Sequence, residues 1–263
     1  MTSKTLVLVT GGNQGLGYFA IQQLSTTDDY HILMGSRDFE KAEKAIQTLS
    51  DDKSIKANPA NVKPIHIDTS SDESIQAAAK AVEDKYGRLD ILMVNAGISH
   101  APGTTREHYR QVFDTNVFGQ AVTVEAFLPL LRKSTASGGK RIAFTSSDLG
   151  SLRWALESKG LYSGVNFPNY RSSKTAVNMV MVHYARLLED EGFIVGASNP
   201  DLNLRHQSIM CQYLGSGYCA TNLDAYGGAK DPREGAKVLI KAATDSKESV
   251  DGLVVDETGS QPW

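Results

Sequence analysis

Apolar runs of strand length recur along the chain, at 5–9, 31–34, 64–67, 91–94, 142–144, 194–197 and 253–255. Between most of them the pattern changes to helical stretches that carry their own start signals. "SSDE" at 70–73 and "TTRE" at 104–107 have the form of a capping box, in which a hydroxyl and a carboxylate satisfy the first free amides of a helix. "DPRE" at 231–234 puts a proline at a first helical position, where its missing N–H is tolerated. Strand and helix alternating this regularly predict an α/β fold, a doubly wound parallel sheet of about seven strands with helices on both faces. Such a three-layer sandwich binds ligands at the carboxyl ends of its strands. No linker, repeat or low-complexity block divides the 263 residues, so a single domain over 1–263 is expected.

Composition narrows the picture a little. The net charge of −3 is spread rather than blocked, which argues against nucleic acid or an anionic membrane as partner. The apolar run in "MTSKTLVLVT" is too short for a signal peptide, and no other run approaches the roughly 20 apolar residues of a membrane span. Cys211 and Cys219 form no disulfide framework, so a reducing, cytoplasmic location is the expectation. No H-x-x-x-H or C-x-x-C spacing occurs, and no metal site is expected. His31 and His66 fall in strands and His183 on a late helix, where packing explains them.

The first strand end reads "LVTGGNQGLGYFAIQQL". Gly11, Gly15 and Gly17 follow a buried strand and open a helix. Glycines let the backbone turn sharply and approach a pyrophosphate, and the free amides of a helix start favour its negative charge. The spacing T-G-x-x-x-G-x-G differs from the common dinucleotide fingerprint and resembles the short-chain dehydrogenase/reductase family. Four further motifs carry that resemblance along the chain: "NAG" at 95–97, Asn116 in "DTNVFG", "TSSDLG" around Ser147, and "YRSSK" with Tyr170 and Lys174.

The resemblance, carbonyl-reductase-like and with several fungal relatives, implies a Rossmann-type fold and an NAD(P)-dependent oxidoreductase acting on a small carbonyl or alcohol. It selects Ser147 over Ser146 as the serine that holds the substrate oxygen, and gives Asn116 a water in a proton relay through Lys174. It brings Gly11, Asn13, Gln14, Gly15, Leu16 and Gly17 to the cofactor, with Asn95, Ala96 and Gly97 at the fourth strand end and Asp68 against adenine. Tyr170 and Lys174, four positions apart, project from one helical face. An unperturbed tyrosine titrates near 10, too high for proton transfer at neutral pH, and a neighbouring ammonium stabilises the phenolate. Tyr170 is then the proton donor to a carbonyl oxygen, or the acceptor in reverse.

Cofactor choice is legible at the second strand. An NAD enzyme places an acid about 20 residues beyond the glycines. Here that place holds Arg37, preceded by Ser36, and an arginine matches a 2′-phosphate. Asp38 follows and begins the next turn. NADP(H) is therefore favoured over NAD(H), although the glycine loop carries Gln14 where many NADP relatives have a basic residue.

Two departures from the family stand out. Ser147 and Tyr170 are 23 positions apart, wider than usual. The extra stretch contains Trp154, Tyr162 and Phe167, which either line a pocket for a bulky carbonyl or pack on themselves as a surface loop. The second departure follows the sixth strand, where the family has Pro-Gly followed shortly by threonine at the nicotinamide. Here Pro200 is separated from Gly217 and Thr221 by the sixteen residues 201–216, and removing them leaves "ASNPGYCATNL", a sequence normal for the family. The segment is either a functional loop or a translated intron. It leaves a second functional reading open, a dinucleotide-binding or sensor protein of little activity. The resemblance also implies a homodimer or homotetramer, although an insertion before Tyr170 can disrupt the dimer face of such relatives, which leaves a monomer open.

Overall fold

The computed structural model describes residues 4–99, 105–157, 166–200 and 230–262. Seven strands form one parallel sheet: β1 (Thr5–Val9), β2 (Tyr30–Ser36), β3 (Val62–His66), β4 (Ile91–Val94), β5 (Lys140–Thr145), β6 (Phe193–Ser198) and β7 (Val254–Val255). Their order across the sheet is β3-β2-β1-β4-β5-β6-β7. Pro64 lies in β3 at the sheet edge, where a strand tolerates a missing N–H. The chain reverses direction across the sheet between β1 and β4, which opens a crevice at their carboxyl ends.

Alternate residues of each central strand feed opposite layers. Leu6 and Leu8 of β1 join a core with Leu92, Val94, Ile142 and Phe144. That core is covered by α3 (Asp72–Tyr86), α5 (Gly119–Arg132) and α7 (Pro168–Leu187), through Ile75, Val82, Phe127, Val177 and Met181. Val7 and Val9 face the other way, with Ile32, Met34 and Met93, under α1 (Gly15–Leu24), α2 (Phe39–Thr48) and α8 (Pro232–Thr244). The doubly wound three-layer sandwich expected from the alternation is the observed fold. The shorter helices α4 (Arg106–Phe113), α6 (Leu152–Glu157) and α9 (Lys247–Val250) flank it.

Helix starts follow the expected chemistry with small shifts of register. Asp231 caps α8 and Pro232 takes its first position, as the sequence predicted. At α3 the cap is Ser71, which accepts the amide of Ser74, rather than Ser70. Ser70 is displaced because its amide and hydroxyl both bind the Asp68 carboxylate. At α4 the cap is Thr105, which accepts from His108, so that box also sits one residue later.

Candidate active site

The crevice between β1 and β4 is laced shut at its base by two side chains. Thr10, fully buried, accepts the amides of Asn95 and Ala96 at 3.0 Å each. Asn95 returns its side-chain amide to the carbonyls of Thr10 (2.9 Å) and Gly11 (3.3 Å). Over this base the glycine loop has no room for side chains. Gly11 sits at φ +62°, and a Cβ on Gly17 would lie 2.6 Å from both the Gly11 carbonyl and the Asn95 amide nitrogen. The helix that follows, α1, has no side-chain cap and no acid in its first turn. By contrast α2, α3, α4 and α8 are capped by Asp38, Ser71, Thr105 and Asp231. Open amides beside a glycine cradle fit the pyrophosphate of a dinucleotide.

A cavity of about 350 Å³ runs from this loop across the strand ends. Gly11, Asn13, Gln14, Gly15 and Leu16 line it, whereas Gly17 lies beneath, packed on the loop. Asn95, Ala96 and Gly97 line its middle. Ser36, Arg37 and Asp68 line one end, and Ser147, Tyr170, Lys174 and Pro200 the other. Gly217 and Thr221, Tyr162, both cysteines and the segment 201–216 lie outside the described residues.

At the first end Arg37 and Asp68 bring opposite charges to the same part of the lining. The Asp68 carboxyl is held below its ordinary range first by the Ser70 amide, then by the Ser70 hydroxyl and the Arg37 guanidinium. Arg37 is exposed. Ser36 is buried, and its hydroxyl donates to the Asp38 carbonyl at 2.8 Å while accepting the Asp38 amide at 3.1 Å. Asp38 caps α2 through the Lys41 amide and does not line the cavity. Its carboxyl is lowered chiefly by that amide, so it belongs to the helix start.

The other end is assembled by α7 against the loop after β5. Lys174, 3% exposed, donates to the Thr145 carbonyl at 2.7 Å and stands 5.7 Å from the centre of the Tyr170 ring. The Thr175 hydroxyl binds the Gly150 carbonyl at 2.9 Å. The buried Arg171 reaches the Asn166 carbonyl (2.9 Å) with Nε and the Leu149 carbonyl (3.3 Å) with Nη1. That guanidinium ties together the two flanks of the wide Ser147–Tyr170 spacing. Ser147 donates to the Asp148 carboxylate and accepts the Leu149 amide. Ser146 also lines the cavity, but its hydroxyl is bound to Asn178 on α7.

Of the aromatic residues in that spacing, Phe167 lines the cavity and Trp154 does not. Phe167 is the one non-glycine residue at positive φ (54°) among the described residues, held there as it enters α7 ahead of Pro168. A bulky residue in this region is strained.

Asn116 is the proposed catalytic residue whose side chain does not reach the cavity. It lies on a single π-helical turn, Asp114–Phe118, between α4 and α5. Its carboxamide accepts the Ile98 amide (2.8 Å) and donates to the Ile98 carbonyl (2.9 Å) and the Ser173 hydroxyl (3.2 Å). It therefore braces the loop after β4 against α7, and its neighbour Thr115 lines the cavity instead. π-turns of this kind recur at functional sites.

Thr10, Thr69, Ile98, Thr115 and Leu149 were not singled out by sequence. Thr10 opens the glycine motif, but its role depends on the amides of Asn95 and Ala96, 85 and 86 residues further along the chain, which no local pattern reports. None of His31, His66 and His183 lines the cavity; His31, whose imidazole is held low mainly by burial, meets the Tyr86 hydroxyl at 3.1 Å.

Known proteins are similar to this chain in sequence and in fold. The model of the family "short chain dehydrogenase" matches residues 5–202. Short-chain dehydrogenase anuI of Penicillium roqueforti is 41% identical over 261 residues, covering 97% of this chain and 95% of that protein. Short-chain dehydrogenase/reductase tropE of Talaromyces stipitatus is 30% identical, covering 94% and 89%. Among solved structures, NADPH-bound carbonyl reductase from chicken fatty liver superposes with a TM-score of 0.77 at 23% identity, covering 99% of this chain and all of that one. With the family model spanning β1 to the end of β6 and both fungal relatives covering nearly the whole sequence, this chain belongs to the short-chain dehydrogenase/reductase family of NAD(P)-dependent oxidoreductases.

Proposed function

We propose that the chain reduces a ketone or aldehyde to an alcohol, or catalyses the reverse, with NADPH preferred over NADH. The observation that carries this reading is a single cavity shared by the glycine loop, Arg37, Ser147, Tyr170 and Lys174. When bound, NADPH supplies hydride chemistry. Tyr170 gives its proton to the carbonyl oxygen, and Ser147 hydrogen-bonds the same oxygen and fixes its position. Lys174, anchored on the Thr145 carbonyl, holds positive charge beside the phenol and favours its ionised form. Asn116 keeps the Ile98 backbone and Ser173 in register beneath this group, from where its turn can support a water relay to Lys174.

Preference for NADPH rests on Arg37, because the Ser36 hydroxyl is engaged by the Asp38 backbone and Asp38 by α2. The reading takes the chain as one cytosolic domain. The exposed apolar side chains of Phe118, Met179 and Leu187, beside and on α5 and α7, support self-association. Assaying a panel of aliphatic and aryl ketones and aldehydes with each cofactor tests the reading. Turnover of at least one carbonyl, faster with NADPH, is expected. Cofactor binding without turnover across the panel would leave a dinucleotide-binding protein instead.

A further inference from the structure

The chain leaves the cofactor cavity at Pro200 and is described again from Lys230, and these two residues touch. The ammonium of Lys230 donates to the Pro200 carbonyl at 3.0 Å and to the Glu257 carboxylate at 3.1 Å. Its side chain is 4% exposed, whereas that of Glu257 is 46% exposed. A buried ammonium persists only where it is paired and hydrogen-bonded, and here its described partners are one backbone carbonyl and one carboxylate.

Both partners are themselves held. Glu257 stands in a turn organised by the buried Asp256, whose carboxylate accepts the amides of Thr258 (2.6 Å) and Gly259 (3.0 Å). Lys241 on α8 binds the Asp256 carbonyl from outside. On the other side, Asn199 donates its amide to Val255 at 2.7 Å and accepts the Asp148 amide at 3.0 Å through its side chain. Asp148 is the neighbour of Ser147. The Asn199–Pro200 corner is thus held by the serine loop, by β7 and by Lys230.

Pro200 lines the cavity and Lys230 does not. Among the described residues, the link from Lys230 to the site runs through the Pro200 backbone. We infer that Lys230 is a positioning residue of the cofactor pocket. It sets the Pro200 wall at the end that holds Tyr170 and Ser147, using the C-terminal turn at Glu257 as its fixed point. The inference rests on the dinucleotide-binding reading given above. It assigns to the C-terminal turn a role in the pocket that neither residue shows by lining it.

The test is titration of the full chain with NADPH, followed by protein fluorescence at a temperature well below melting, in parent, Lys230→Met, Lys230→Arg and Glu257→Ala. Met fills the same length but cannot donate to the carbonyl. Losing a charged hydrogen bond of this kind weakens binding by about tenfold or more, and Arg should recover most of it. Glu257→Ala removes the described carboxylate partner of the buried ammonium, so it should lower the melting temperature, and in the protein that remains folded at low temperature it should weaken NADPH by about threefold. A purely structural link would lower the melting temperature of the free protein and leave affinity at low temperature unchanged. Folded variants that bind NADPH as the parent does overturn the inference and leave the oxidoreductase reading intact. If Lys230→Met does not fold, Glu257→Ala decides alone. A parent that binds neither NADPH nor NADH overturns both.

Discussion

The ammonium of Lys174 lies 5.7 Å from the centre of the Tyr170 ring, one turn along the same face of α7. The ammonium donates to the Thr145 carbonyl at 2.7 Å, which anchors the charge at the end of β5 beside the phenol ring. Removing the phenol oxygen should remove the proposed proton donor while the lysine keeps its anchor on the Thr145 carbonyl. Tyr170→Phe is expected to lower turnover by roughly 100-fold or more on any carbonyl the parent reduces. NADPH affinity, measured by fluorescence titration, should stay close to that of the parent. Near-normal turnover in this variant would remove Tyr170 from the mechanism.

The proposed preference for NADPH can be tested at Arg37, which lies near Asp68. Arg37 helps hold the Asp68 carboxyl low, and both line the same end of the cavity. Arg37→Asp replaces attraction for a 2′-phosphate by repulsion, and it also sets a second carboxylate beside Asp68. NADPH should weaken by about tenfold or more, with NADH affected much less. Parallel titrations with both cofactors check this. An NADPH affinity equal to the parent's would show that Arg37 does not read the phosphate.

The sheet and its helices were legible because their signals are local. A strand such as Thr5–Val9 is a run of buried apolar residues, and Pro232 behind Asp231 announces a helix start whatever lies elsewhere. The glycine loop was legible for the same reason. Cap register was harder, because Ser70 and Ser71 are chemically alike and the choice fell to the competing Asp68 carboxylate. Asn116 shows a further limit. Its motif marks a place in the fold, but its side-chain partners, Ile98 and Ser173, come from a loop and a helix far away in sequence. Arg171 gives a related case: its position beside Tyr170 gives no hint that it also binds Leu149, 22 residues earlier.

One packing contact supports the pocket from below and gives a stability prediction. Gly119 opens α5 against the loop after β3, and a Cβ there would lie 1.9 Å from the Thr69 carbonyl oxygen. The obstacle is backbone, so no side-chain rotation relieves it. Gly119→Ala must move either the helix start or Thr69, which lines the cavity. Overpacking of this kind costs about 1–3 kcal/mol. Denaturant unfolding should show a lower midpoint, and NADPH should bind more weakly in the surviving folded protein. A midpoint equal to the parent's would mean the loop yields freely.

Pro200 and Lys230 also decide what removal of the segment 201–216 should do. The two residues are joined at 3.0 Å, so the chain between them starts and ends at one place. Deleting 201–216 joins Pro200 to Gly217 and leaves thirteen residues, 217–229, to return to Lys230. Thirteen residues can span about 40 Å when extended, far more than this return requires. Shortening the loop changes its closure entropy by less than about 1 kcal/mol, so the fold should persist with a similar melting temperature. The restored Pro-Gly pair would let the backbone approach the nicotinamide end as the family's turn does. The deletion variant is expected to bind NADPH more tightly and turn over faster on the same carbonyl. Loss of binding in a variant that keeps its circular dichroism would make 201–216 an integral part of this enzyme's site.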